Sequence, residues 1–161
     1  MSISTCNILT NPSFESGSLS PWYTNIPNIA RVTNSTPAYN GTYTLDLTTT
    51  PNNNNNNNNS ISQSITNLTR TTTYDFSIQV NVPNSGADFC HISAYVGANA
   101  TSGLILSVDV EPTGEWTPVR GNYTARGTSD VLMIGAGCTS SDGSDSWHVF
   151  MDEVVLGRRG C

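Results

Sequence analysis

The chain has 161 residues, enough for one domain with a substantial core. Only 11% of the residues are charged, the six basic residues are all arginine, and the formal net charge is -6. This composition argues against nucleic-acid binding, which needs clustered positive charge, and no apolar run approaches the roughly 20 residues of a membrane span.

Most of the chain reads as short strands in which apolar and polar residues alternate. In chain order, the apolar positions are Tyr43, Leu45, Leu47; Ile61, Ile65; Tyr74, Phe76, Ile78, Val80, Val82; Cys90, Ile92, Ala94, Val96; Leu104, Leu106, Val108, Val110; and Leu132, Ile134, Ala136. A period of two is typical of strands with one buried face, and Gly, Pro, Asn and Asp mark turns between them. No segment combines a helical repeat of apolar residues with capping residues at its ends. The pattern predicts one all-β domain over residues 1–161, an antiparallel β-sandwich.

Residues 52–59 are an uninterrupted asparagine run between two of these strands. Asparagine disfavours strands, so the run is interpreted as a long hairpin loop, which loop-closure entropy tolerates. An asparagine ladder between stacked subunits is the alternative.

The cysteine count indicates an oxidising compartment. The four cysteines show no metal-binding spacing, so two disulfides are expected. Strand phase places Cys90 and Cys138 on buried faces, which favours a Cys90–Cys138 bridge, although four cysteines allow three pairings. Met1 is followed by polar residues and not by a signal peptide, yet six N-glycosylation sequons favour a secreted glycoprotein, at Asn34, Asn40, Asn58, Asn67, Asn99 and Asn122.

Motifs near the two ends, together with landmarks between them, carry a family resemblance. The first motif is N-P-S-F-E-S-G from Asn11, followed by Pro21-Trp22; the last is the acidic pair Asp152-Glu153 inside an apolar strand. Between them, the segments 38–47, 61–65, 68–76 and 115–123 match further landmarks in order. The chain resembles the CenC-type carbohydrate-binding modules, as a secreted, eukaryotic and fungal-like member. The resemblance implies a galactose-binding-like jelly roll whose termini lie side by side, and hence a Cys6–Cys161 bridge.

The resemblance also implies a structural calcium ion held by oxygen ligands. Its ligands would be the carboxylates of Glu15 and Asp152, with oxygens from Asn11 or Ser13 and from Asn40 or Gly41. The alternative is that Glu15 and Asp152 only accept hydrogen bonds from backbone amides or meet an arginine.

A sugar site would combine an aromatic face with hydrogen-bonding side chains. The candidates are Tyr95, His91, Trp147, Tyr39, Tyr23 and Gln79. Tyr95 is the first choice, because alternation turns it away from the core, whereas Trp22 and Trp116 are interpreted as core residues. Alternation also places Trp147, Val149 and Met151 on an apolar outer face, opposite Phe150.

These features predict non-catalytic binding of a cell-wall or matrix glycan outside the cell. Neither His91 nor His148 has a triad-like setting in the sequence, and no hydrolase motif occurs, so no enzyme is expected. The alternative is a structural subunit of an extracellular fibre or coat, assembled through the face of Trp147, Val149 and Met151.

Overall fold

The computed structural model describes residues 6–49, 59–84, 86–98, 102–141 and 147–161. All regular elements in these ranges are strands, as predicted. The described residues contain no helix long and apolar enough to cross a membrane. The strands are β1 (Tyr23–Thr24), β2 (Ala30–Thr33), β3 (Thr44–Thr49), β4 (Asn59–Ile65), β5 (Thr73–Asn81), β6 (Phe89–Val96), β7 (Leu104–Val110), β8 (Trp116–Thr124), β9 (Asp130–Thr139) and β10 (Trp147–Arg158).

Among the described residues the strands form two five-stranded antiparallel sheets that pack face to face. Sheet I has the order β1-β4-β9-β6-β7, and sheet II has the order β2-β3-β10-β5-β8. Neighbours in each sheet are mostly distant in sequence, as expected for a jelly-roll sandwich. Each sheet therefore has one inner face in the core and one outer face, and the outer faces are the two broad surfaces of the molecule.

Alternation along the strands fills the core as the sequence predicted. On β5 the inner positions are Tyr74, Phe76, Ile78 and Val80, all almost fully buried. The inner residues of β4, β6 and β9 are likewise buried, as are both members of the Cys90–Cys138 disulfide. Cys90 and Cys138 are directly opposite each other on β6 and β9, which confirms the bridge predicted from strand phase.

The two ends of the chain lie side by side. A disulfide joins Cys6 to Cys161, as the family resemblance implied. Beside it, the Ile8 amide donates to the Leu156 carbonyl, and the Asn7 side chain accepts a hydrogen bond from the Leu156 amide. The terminal bridge therefore closes a junction that backbone pairing already holds.

Strand β10 departs from simple alternation and overturns one prediction. Trp147, Val149 and Met151 face the core and are almost fully buried, so they form no outer apolar face. The pairing of β10 with β5 shifts register between Asp152 and Val155, and Glu153 has a φ of 48°. This β-bulge inserts a residue and reverses which positions face inward, so odd residues are buried before it and Val154 and Leu156 after it. The prediction failed because it extended the phase of Val154 and Leu156 backwards through the bulge.

The asparagine run lies mostly outside the described residues, which omit 50–58. Its last member, Asn59, begins β4 and is buried, whereas the prediction placed it in the loop. Its side-chain amide donates to the Thr48 carbonyl over 2.6 Å, which ties β4 to the end of β3. The side-chain nitrogen of this buried polar residue thus has a backbone partner, whereas its Oδ1 has none among the described residues.

Candidate functional site

The outer face of sheet I has a recessed row of small residues across its middle. Strand register places Ser60, Gly135, Ser93 and Ser107 side by side on β4, β9, β6 and β7. Ser60 and Gly135 are buried although they point away from the core. Four strands at a spacing of about 4.8 Å give this row a length of about 14 Å. Ser93 is half-buried and Ser107 is exposed, so these two members of the row are the ones that a ligand can reach.

A row of larger apolar side chains borders this floor on one side. The register places Tyr23 beside Ser62, then Met133, Tyr95 and Leu104. Tyr23 and Leu104 are 48% and 49% exposed, and Tyr95 is half-buried with its hydroxyl against the Met133 sulfur. Two tyrosine rings and two aliphatic side chains therefore rise beside the floor and offer stacking surfaces.

A chain of hydrogen bonds borders the floor on the other side. His91 Nδ1 lies 2.7 Å from an Asp109 carboxylate oxygen, and His91 Nε2 lies 2.9 Å from the Ser107 hydroxyl. In the tautomer that donates Nδ1–H to Asp109, Nε2 accepts a hydrogen bond from the Ser107 hydroxyl. The prediction that His91 has no triad-like setting was wrong, because Asp109 and Ser107 come from β7, opposite β6.

The structure brings together only part of the predicted sugar site. Tyr95, His91 and Tyr23 share the outer face of sheet I. Tyr39 and Gln79 belong instead to the outer side of sheet II, and Trp147 is in the core.

The two tryptophans interpreted as core residues differ in position. Trp22 is buried as predicted, and its indole donates to the Asn11 carbonyl. Trp116 lies half-buried on the outer side of sheet II against Tyr39, so its core interpretation was wrong.

The carboxylates of Glu15 and Asp152 bind the same turn, residues 39–43. Glu15 Oε1 accepts hydrogen bonds from the amides of Thr42 and Tyr43, both over 2.9 Å. Asp152 Oδ2 accepts from the amides of Tyr39 and Asn40, and Oδ1 accepts from the Glu153 amide. The amide-capping alternative for both acids is thus present in the structure.

The buried charge of Asp152 is also compatible with a bound hard cation. Asp152 is fully buried, and none of the described side chains forms an ion pair with it. Burial raises the pKa of Asp152 to about 6, against three backbone hydrogen bonds that lower it, and the Glu153 charge adds to the rise. Glu15 Oε2 receives no hydrogen bond from the described residues. A buried carboxylate without a cation is costly, so this donor set suits a cation.

The other predicted ligands are used in different ways. Asn11 organises the 11–22 loop: its side chain bonds Ser16, Ser18 and Ser20, and its carbonyl accepts from Phe14 and Trp22, which leaves it poorly suited as a ligand. Ser13 is buried. Gly41 has a φ of 81°, and a Cβ there would collide with the Glu15 carboxylate.

No group of three or more His, Cys, Asp or Glu side chains among the described residues is placed to hold a metal. Any cation here would therefore draw most of its ligands from backbone carbonyls, as calcium commonly does.

Sequence reasoning missed several residues of these surfaces. Alternation predicts only that Ser107 and Asp109 are polar residues of a strand, and it predicts that Phe150 faces the core. Only strand pairing shows which residues lie opposite them. Ser107 lies opposite Ser93 and Asp109 lies opposite His91. Phe150 lies opposite Asp46.

The chain matches a known protein family. A family model described as "Carbohydrate binding domain" matches residues 6–134. No curated protein sequence matches the chain.

Several solved structures are similar in fold. The structure of TmCBM61 in complex with β-1,4-galactotriose is 21% identical, has a TM-score of 0.67 and covers 95% of this chain and 99% of its own. A xylan-binding domain from CBM 22 is 18% identical, has a TM-score of 0.66 and covers 98% of both chains. The CBM22-1 xylan-binding domain from Paenibacillus barcinonensis Xyn10C is 17% identical, with a TM-score of 0.62 and 91% and 90% coverage. At these identities the likeness concerns the fold.

Proposed function

The chain belongs to the carbohydrate-binding domain family, and we propose that it binds a glycan, without cleaving it, along the outer face of sheet I. The observation that carries the proposal is the three-row surface of that face. A floor of serine and glycine runs between an apolar row with Tyr23 and Tyr95 and the polar chain of His91, Ser107 and Asp109.

This arrangement matches what a sugar chain presents. The C–H face of a pyranose stacks on an aromatic ring, while its hydroxyl groups need donors and acceptors at the edge. Tyr95 supplies a ring on one side of the floor, and Ser107 supplies a hydroxyl on the other. When the Ser107 hydroxyl donates to His91 Nε2, the Ser107 oxygen can still accept a hydrogen bond from a sugar hydroxyl.

The order Asp109, His91, Ser107 also occurs in serine hydrolases, but here a binding role is favoured. The side chains of His91 and Asp109 are 38% and 59% exposed. Water screens a charge relay at such exposure, whereas catalytic relays act in water-excluded sites aimed at an oxyanion.

Tyr95→Ala tests the proposal, with Tyr95→Phe as the matched control. We expect Tyr95→Ala to abolish binding or weaken it about 30-fold or more, as loss of a hot-spot side chain worth about 2 kcal/mol would do. Tyr95→Phe keeps the ring and should retain most binding. The measurement is affinity electrophoresis in gels containing xylan, β-1,4-galactan or other glycans chosen from a glycan array, with melting temperatures alongside. Unchanged binding by Tyr95→Ala would remove sheet I from the site.

A structural calcium ion at Glu15 and Asp152 is part of the proposal. It is supported by the burial of Asp152, which forms no ion pair with a described side chain, and by the hydrogen bonds that both acids accept from residues 39–43. An ion bound only by the folded chain would stabilise it by mass action, and these carboxylates with neighbouring carbonyls would hold it.

We propose further that the protein acts outside the cell, as a CenC-type module from a fungal-like eukaryote. Two disulfides are typical of oxidising compartments. Of the sequons, Asn34, Asn67 and Asn122 are exposed, while Asn58 and Asn99 lie outside the described residues. Asn40 is also exposed but bonds Glu153, so a glycan there would compete with the calcium site.

The fibre-subunit alternative loses its main support. It depended on an outer face of Trp147, Val149 and Met151, and these residues are in the core of the chain itself.

A further inference from the structure

The outer side of sheet II carries aromatic rings that the binding face of sheet I does not use. His148 stacks on Phe150 with ring centroids 6.4 Å apart, and Tyr39 meets Trp116 edge to face at 6.0 Å. Tyr39 is 46% exposed, and Trp116 and Phe150 are half-buried. Exposed aromatic patches commonly mark binding sites, so this side of sheet II is a candidate for a second ligand.

Strand register places two of these rings, Phe150 and Trp116, in one row. Phe150 on β10 lies opposite Asp46 on β3 and Asn81 on β5. Asp46 lies opposite Arg31 on β2, and Asn81 lies opposite Trp116 on β8. The row therefore crosses all five strands of sheet II, about 19 Å at a spacing of about 4.8 Å per strand.

The polar members of the row are fixed in place. The Asp46 carboxylate is almost fully buried between Arg31 Nε at 3.0 Å and His148 Nδ1 at 2.6 Å. Asn81 donates its amide to the Gly114 carbonyl, which leaves the amide oxygen without a partner among the described residues. In the adjacent row, Gln79 Oε1 is buried without a partner in the described part of the chain, but it lies opposite the buried Asp152 and so belongs to the candidate cation site. A buried, unpaired amide oxygen costs free energy unless a ligand or water bonds it.

The order of groups along the row favours a carbohydrate over a protein partner. Ring, amide and ring follow one another at Trp116, Asn81 and Phe150. Beyond them, the buried Asp46 holds the side chain of Arg31, which is 71% exposed, at the end of the row. The centre of a protein interface is depleted in charge, whereas a sugar chain needs stacking and hydrogen bonding at every unit. We propose that this row is a second carbohydrate-binding surface, so that the module binds one glycan chain on each outer face and bridges the two.

Tryptophan fluorescence distinguishes the two surfaces. Of the three tryptophans, Trp22 and Trp147 are buried in the core, and only Trp116 is half-exposed. The binding face of sheet I contains tyrosines and no tryptophan. A change in tryptophan emission on adding glycan therefore reports on sheet II.

The experiment titrates the full chain with xylohexaose, cellohexaose, laminarihexaose, chitohexaose, mannohexaose and β-1,4-galactotriose, by fluorescence and calorimetry. We expect a saturable emission change and two equivalents bound by the unaltered chain. Tyr95→Ala should keep the emission change and lose one equivalent. Phe150→Ala should lose the emission change and keep the equivalent of glycan bound at sheet I. If the Phe150→Ala variant does not fold, Asn81→Ala is used in its place.

Two results separate the surfaces. Binding without any emission change, abolished by Tyr95→Ala, overturns the second surface and leaves the first. An emission change that Tyr95→Ala leaves intact, with one equivalent bound before and after, supports the second surface and removes the first. An emission change on concentrating the chain without glycan, with self-association in sedimentation, would overturn the glycan assignment of this row.

Discussion

Removing the two disulfides separately should show which of them the fold depends on. The perturbation is Cys90→Ala with Cys138→Ala in one variant and Cys6→Ala with Cys161→Ala in its matched control. The bridges span sequence separations of 48 and 155 residues. By loop-closure entropy alone, they stabilise the fold by about 4 and about 5 kcal/mol. Chain entropy therefore predicts that the terminal bridge matters more.

Burial and local unfolding reverse that order. Cys90 and Cys138 are fully buried, so their removal also leaves a cavity in the core of sheet I, which adds to the entropic cost. Cys161 is exposed, and without its bridge the ends can fray locally while the sandwich persists, which limits the observed loss. We expect the core variant to lose about 5 kcal/mol or more and the terminal variant less than about 3 kcal/mol.

Urea denaturation followed by fluorescence measures both losses, and glycan binding by affinity electrophoresis gives a second readout. The core bridge lies beside His91 and Gly137 of the binding face, so its loss should weaken binding as well. A terminal variant less stable than the core variant would refute the reasoning, because the loop-entropy term would then exceed the burial term.

Two further outcomes are expected. In chelator, the free energy of unfolding should fall as pH rises from about 4 to about 6. Burial raises the pKa of Asp152 from its ordinary value of 3.8 to about 6, so the folded chain binds more protons than the unfolded chain in that window. At 1.36 kcal/mol per pKa unit, the loss of stability should approach about 3 kcal/mol. Urea titrations at each pH measure this loss, and adding calcium or substituting Asp152→Asn should abolish it. A stability that does not change with pH would contradict the buried charge. Trp147→Ala should lower stability by roughly 3–5 kcal/mol in urea denaturation, because the ring is in the core, and unchanged stability would contradict its burial.

Much of the fold follows from local alternation in the sequence. The inner faces of β4, β5, β6 and β9 could be predicted because each strand keeps one phase from end to end. That phase placed Cys90 and Cys138 on buried faces and turned Tyr95 outward, and strand pairing then sets the two cysteines opposite each other. The N-terminal and C-terminal motifs supplied the one long-range fact, the adjacency of Cys6 and Cys161.

The sites depend on features that alternation does not contain. In β10, the bulge at Glu153 lies next to Asp152, which accepts hydrogen bonds from the backbone amides of Tyr39 and Asn40. The position of the bulge therefore depends on a turn more than a hundred residues earlier in the chain. Likewise, Ser107 becomes a partner of His91, and Phe150 of Asp46 and Asn81, only through strand register. The sequence determined which face of most strands is buried, because burial repeats every second residue. Only the tertiary structure decided which outer residues meet, because neighbouring strands in these sheets come from distant parts of the chain.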